Sequence, residues 1–183
     1  MTTLIVSLPP AHEKLLKYYR GLMQDAGGAI PQRSAVHPSD IKPMLPWIAM
    51  AERQGPRHLV PTIIGSAVDE VLQASFTGIN LFEYWDEDMF DPMDTFYSNI
   101  TDVPCGGYNV RTLVGQNGLQ RLYQSSMYPL KGRSGKIDRL IGIISVAKSE
   151  PLLSRFGKPK DIKTLDVAHI DYIDIGFGVP EGI

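Results

Sequence analysis

Residues 108–147 read YNVRTLVGQNGLQRLYQSSMYPLKGRSGKIDRLIGIISVA. Tyr108 to Val114, Leu119 to Leu130 and Ile137 to Ala147 are rich in β-branched, aromatic and aliphatic residues, and each is long enough for a strand. Gly115-Gln116-Asn117-Gly118 and Lys131-Gly132-Arg133-Ser134-Gly135 join them with the residue types that hairpin turns require. Consecutive hairpins give an antiparallel meander. The middle strand alternates Leu119, Arg121, Tyr123, Ser125, Met127 against Gln120, Leu122, Gln124, Ser126, Tyr128. Both rows mix polar and apolar side chains, so its register is not set by pattern alone. The third strand is the most apolar and is expected at the centre of the sheet.

Working towards the N-terminus, Trp47 to Glu52 and Arg57 to Ile64 read as strands joined by the turn Gln54-Gly55-Pro56. Pro61 inside the second argues for an edge position or a bulge. Between this pair and the meander lie short helices. Ser66 is placed to cap one, with Asp69 three residues on and Ala67, Val68, Val71 and Leu72 on its buried side. Asp91-Pro92 opens another that runs to about Asn99, with Asp91 as its cap. A longer helix from Ala11 to Asp25 precedes all of this and ends at Gly27-Gly28. Its residues Leu15, Leu16, Tyr19, Leu22 and Met23 form one apolar stripe. That stripe either packs on the domain or serves as a dimer seam or partner-docking face. Residues 151–164 read as a polar linker, and His169 to Phe177 as a last strand or an arm laid over the domain. The expected division is therefore 1–46 for the helix and proline-rich connection, 47–147 for the main domain and 148–183 for an extension.

Composition narrows the function. The 183 residues suit one domain with an accessory segment. With 43 % hydrophobic and 21 % charged residues the chain is neither a disordered tail nor a membrane span. Its longest apolar runs, such as Ile141 to Val146, are too short to cross a bilayer. The N-terminus lacks the basic region of a secretory signal. A single cysteine, Cys105, excludes an intrachain disulfide, and the expected location is the cytoplasm. Net charge is −2 with no basic cluster, so neither a nucleic acid nor a membrane is an expected partner.

Two strands, short helices and three further strands, in that order, resemble a PAS domain. More closely, the chain is similar to a family of mostly stand-alone bacterial PAS-like proteins typical of alphaproteobacteria. The resemblance rests on the leading helix, Ile30-Pro31-Gln32-Arg33-Ser34, and Pro38-Ser39-Asp40-Ile41-Lys42-Pro43-Met44-Leu45-Pro46. It continues through a strand ending in Gly65, the pair Thr77-Gly78, Pro104, Tyr128-Pro129-Leu130, Asp138 and Ile144, and covers about residues 12 to 147. It implies an α+β fold: a five-stranded antiparallel sheet with short helices on one face, plus the N-terminal helix and C-terminal extension. It also implies a sensory or regulatory role, and it carries over no catalytic residue. No cofactor is identified. Cys105 sits between Pro104 and Gly106 rather than in a flavin-reactive setting, and no histidine lies between His58 and His169 to ligate a haem.

A sheet roofed by helices leaves room for a small apolar pocket between the layers. Phe82, Tyr84, Trp85, Phe96, Tyr97, Tyr123 and Met127 are the aromatic and apolar candidates to line it, with core packing as their plainer reading. Arg121 shares a row with Tyr123 and Met127. If that row faces inwards, Arg121 reads an anion; if outwards, it is merely solvated. His12, His37, His58 and His169 lack metal-ligand spacing, and the acidic run Asp86, Glu87, Asp88, Asp91, Asp94 lacks the glycine and terminal Glu of a calcium loop. Cys105 reads as a turn cysteine rather than a nucleophile. The expectation is a sensory module that binds a small ligand or partner protein and signals by protein contact, with a homodimer as one form of that contact. The alternative is a small cone-shaped, cystatin-like isomerase or hydrolase. Strand order separates the two, because a PAS sheet places its first strand beside its last.

Overall fold

The computed structural model describes residues 7–72, 74–115, 118, 120–146 and 163–181. The meander is present as β3 (Gly106–Val114), β4 (Gln120–Lys131) and β5 (Ile137–Val146). The earlier hairpin is β1 (Ile48–Gly55) and β2 (His58–Ile64), and a sixth strand, β6 (Lys163–Ile173), comes from the C-terminal extension. All six join in one antiparallel sheet of order β2-β1-β5-β4-β3-β6. Ile48 to Glu52 of β1 pairs with Ile143 to Arg139 of β5, so the first strand lies beside the last of the meander. This is the PAS order and not that of the cone fold.

Local chemistry explains each irregularity. Pro61 has no N–H to give, and β2 takes the edge position, with a register shift where Met50 pairs with Ile63 but Ala51 pairs with Pro61. The β1–β2 turn places Arg57 at φ 52°. Its backbone N–H donates to Asp94 Oδ1 at 2.9 Å, and Arg53 pairs with the same carboxylate at 3.0 Å. That carboxylate belongs to α3 (Phe90–Asp102), so the hairpin tip ties the helical roof to the sheet. Asp91 is not the cap of α3: the helix begins one residue earlier, and Asp91 lies in its first turn, paired with Arg57. Ser66 likewise starts α2 (Ser66–Leu72) rather than preceding it, and the Gly65 carbonyl accepts from Val68 and Asp69.

The sheet is covered on both faces. Its inner face packs under α2, α3 and the 3-10 turns at Leu81–Glu83 and Glu87–Met89, with Met93, Phe96, Tyr97 and Ile100 of α3 buried at helical spacing. Gly107 lets α3 approach, since a Cβ there would lie 2.5 Å from Ile100 Cδ1 and 2.7 Å from the Phe96 ring. The outer face carries α1 (Pro10–Asp25), whose Leu15, Leu16, Tyr19, Leu22 and Met23 pack with Met50, Tyr128, Ile141 and Ile143. These five residues are the stripe whose pattern also suits a dimer seam or docking face. All are at most 9 % exposed within this chain, so the stripe is satisfied internally and offers no free surface. The connection from α1 runs along the end of β4, where Gln32 bridges to Lys131. Of the expected linker at 151–164, residues 151–162 lie outside the described residues, and Lys163 and Thr164 belong to β6.

Candidate functional site

Between the inner face of the sheet and its roof lies a cavity of about 80 Å³, counted as the space that the centre of a water molecule can sweep. On that measure one water takes roughly 10–15 Å³, so there is room for several waters or one compact molecule. Ala49 and Ala51 of β1, Leu59 of β2, Val68 and Leu72 of α2, and Ile144 of β5 supply an aliphatic wall. Tyr84, Trp85, Tyr97 and Tyr123 supply an aromatic one. Small side chains on β1 open this space: residues with larger side chains at 49 and 51 would fill it.

One charged group lines the described cavity, and it is Arg111 of β3. It is only 5 % exposed. Its guanidinium carbon lies 4.4 Å from the centre of the Tyr123 ring and 5.4 Å from that of Trp85. The flat cation is thus covered by aromatic faces, an arrangement that arginine tolerates better than lysine. Its Nε is buried with no hydrogen-bond partner. Burial pushes the Tyr97 and Tyr123 hydroxyls above the ordinary phenol range, and the nearby Arg111 charge offsets part of that rise. Both are neutral near pH 7 and able to donate.

The sequence candidates divide accordingly. Tyr84, Trp85, Tyr97, Tyr123 and Met127 line the cavity. Phe82 and Phe96 do not. They are buried in the roof core, 6 % and 0 % exposed, and support the lining from behind through ring contacts with Trp85 and Tyr97. Arg121 does share the inner face of β4, as its row required, but it pairs with Leu113 near the far end of the strand and lines no part of the cavity. Its Nη1 donates to the Gln120 carbonyl. The arginine that lines the cavity is instead Arg111, directly across the ladder from Tyr123. Sequence reasoning missed it. The available signal was the row Asn109, Arg111, Leu113, which pairs with Ser125, Tyr123 and Arg121 once the Gly115–Gly118 turn fixes the register.

A second polar cluster lies behind the cavity, on the outer face. His12 of α1 is fully buried, with Nδ1 3.0 Å from Ser126 Oγ and Nε2 2.9 Å from Ser145 Oγ. Ser145 donates to Gln124 Oε1, and Gln124 donates to the Tyr108 hydroxyl. Burial depresses the His12 imidazole to a pKa of about 4, so the ring is neutral at neutral pH and bridges α1 to β4 and β5. Cys105 is fully buried, its Sγ 3.6 Å from the Asn99 carbonyl, and burial pushes its thiol up to about 12, with the Asp174 charge adding to the rise. Among the described residues no cluster of three or more His, Cys, Asp or Glu is placed to hold a metal ion. No described helix is long and apolar enough to cross a membrane.

Among solved structures, a variant of the PAS-B domain of Cycle from Drosophila melanogaster, with glycerol bound, is similar at 17 % identity and a TM-score of 0.44. That match covers 55 % of this chain and 98 % of the other. VqmA bound to DPO matches at 13 % identity and a TM-score of 0.46, covering 61 % of this chain and 57 % of VqmA. A light-oxygen-voltage domain with a flavin analogue matches at 10 % identity and a TM-score of 0.41, covering 61 % of this chain and 84 % of the other. No curated protein matches the chain. A family model described as "PAS domain" matches residues 8–145, three-quarters of the sequence and all of the sheet except β6 and the last residue of β5. By that match, and with the strand order described above, the chain belongs to the PAS domain family.

Proposed function

We propose that this chain is a sensory module that holds a small molecule in the cavity beneath α3 and reports its occupancy by contact with a protein, a second copy of the chain included. The observation that supports this most directly is the cavity itself, a space of about 80 Å³ walled by aliphatic and aromatic side chains around one buried guanidinium. Apolar walls with few, fixed polar groups suit binding and orientation. The described lining consists of apolar groups, phenols, one hydroxyl and the guanidinium, a set fitted to hold a molecule rather than to shuttle its protons.

The route outward is short. Adjacent residues in a strand face opposite sides of the sheet. Met127 lines the cavity while Ser126 holds His12, and Tyr123 lines it while Gln124 joins the same outer network. A ligand that displaces Tyr123 or Met127 therefore also acts on the seat of α1. Because the apolar stripe of α1 is occupied by the sheet, signalling works through a change in how α1 sits rather than through a permanently open face.

Native mass spectrometry of freshly purified protein tests this reading. A non-covalent adduct lost on denaturation, or amide shifts confined to inner-face residues under xenon pressure, supports it. Bare protein together with exclusion of xenon from the cavity refutes it.

A further inference from the structure

We infer that the cavity selects compact, mostly apolar molecules bearing a single carboxylate, anchored on the edge of Arg111. This deepens the proposed sensory reading and rests on it. The guanidinium carbon lies over the Tyr123 and Trp85 rings at 4.4 Å and 5.4 Å, and a guanidinium stacked on a ring keeps its N–H edge for other partners. Its N–H donors point outwards in the plane; one contacts the Tyr123 hydroxyl, and the Nε donor is buried without a partner. Among the described residues no carboxylate forms an ion pair with Arg111. A cation held in an apolar cavity with an unused donor is unfavourable unless something answers it. A carboxylate lying in the guanidinium plane answers it with two parallel charge-assisted hydrogen bonds.

The rest of the lining sets the remainder of the ligand. Beyond the Tyr84, Tyr97, Tyr123 and Thr164 hydroxyls the described lining is largely apolar and holds no second cation, so a dianion is disfavoured. The volume of about 80 Å³ limits the molecule to a short branched chain or a single ring.

The test is titration of the intact chain with matched pairs, benzoate against benzamide and isovalerate against its amide, followed by amide chemical shifts. The carboxylates bind about tenfold or more tighter than their neutral isosteres, with shifts on inner-face residues of β3 and β4. Arg111→Met abolishes that ratio while xenon still enters. Arg111→Lys, which keeps the charge but loses the planar fork, reduces it several-fold and serves if the Met variant does not fold. Equal binding of acid and amide overturns the inference, as does a ratio that survives both substitutions, or no binding by any of the four. If xenon enters nonetheless, the cavity reading stands and only the ligand class falls; if xenon is excluded as well, both fall.

Discussion

Arg111 and Tyr123 face each other across the β3–β4 ladder as a register pair, with the guanidinium carbon 4.4 Å from the tyrosine ring centre. Cross-strand neighbours are the units that stabilise a sheet, and here one such unit also forms the polar end of the cavity. The pair joins two roles that are usually separate. Tyr123 shields a cation that would otherwise be costly to bury, and the shielded cation is what gives an apolar space a preference among ligands.

Tyr123 therefore carries two separable contributions to stability. Tyr123→Phe keeps the ring over the guanidinium and removes the hydroxyl that Arg111 contacts. The expected cost is about 1 kcal/mol, that of one hydrogen bond. Tyr123→Leu also removes the aromatic face, adding roughly 0.5–2 kcal/mol from the cation–π contact and more from lost packing. Urea unfolding of the two variants should rank them in that order. Equal costs would mean that the ring contact contributes nothing.

Much of this fold was legible because turns and strand lengths are written locally. The glycine-rich connections at 115–118 and 132–135 announced the meander, and Pro61 announced an edge or a bulge, of which the structure has both. The mixed rows of β4 had a simple cause that the row pattern could not reveal: both faces are covered, one by the roof and the other by α1. Ser126 looks like a solvent-facing residue and is instead a buried partner of His12. The register across the Gly115–Gly118 turn could have put Arg111 on the same face as Arg121, but it could not choose between them. Both lie on the inner face, and only depth along the sheet, set by where Trp85 and Tyr97 come down from the roof, puts one in the cavity and the other outside. The stripe on α1 was visible, but its occupant was not, because an amphipathic pattern reports that a face is buried and not against what.

His12 makes stability depend on acidity. Its folded pKa of about 4 lies below the ordinary 6.5, so the unfolded chain binds a proton more readily than the folded one. Stability from this group is complete above pH 6.5 and falls as the pH drops towards 4, by at most on the order of 3 kcal/mol. The ring is faced by Ser126, Ser145 and, edge-on at 5.6 Å, Tyr108, whose hydroxyl burial keeps neutral throughout this range. His12→Gln should flatten the change between pH 6.5 and 4 in chemical denaturation. An unaltered slope would assign the acid sensitivity to other groups.

Gly65 gives a physical reason for one element of the family-like pattern. Its N–H donates to the Ile48 carbonyl at 2.8 Å, and a Cβ at this position would collide with the backbone carbonyls of Pro46 and Leu45. Neither neighbour is a flexible side chain, so the backbone itself must move. Gly65→Ala should therefore destabilise by about 1–3 kcal/mol or more despite adding a single methyl. Gly21→Ala is the control, because a Cβ there meets nothing within 4 Å and the residue is helical. It should leave the thermal midpoint unchanged or raise it slightly, by helix propensity. Similar losses at both positions would contradict the steric argument.

Cys105 should behave as a reporter of unfolding and not as a reactive thiol. It is enclosed between α3 and the start of β3, with its Sγ against the Asn99 carbonyl. A pKa near 12 leaves about one thiol in ten thousand ionised at pH 8, where an ordinary cysteine is substantially ionised. The nucleophile in thiol labelling is the thiolate, and the reagent must also reach a side chain with no exposure. Both requirements are met only when the segment opens. Labelling by a disulfide reagent should thus be slow in native buffer and accelerate with urea in step with the opening of β3, as followed by amide hydrogen exchange at Gly107 and Tyr108. Fast stoichiometric labelling of the native chain, without loss of exchange protection, would show that the thiol is accessible and its ionisation ordinary.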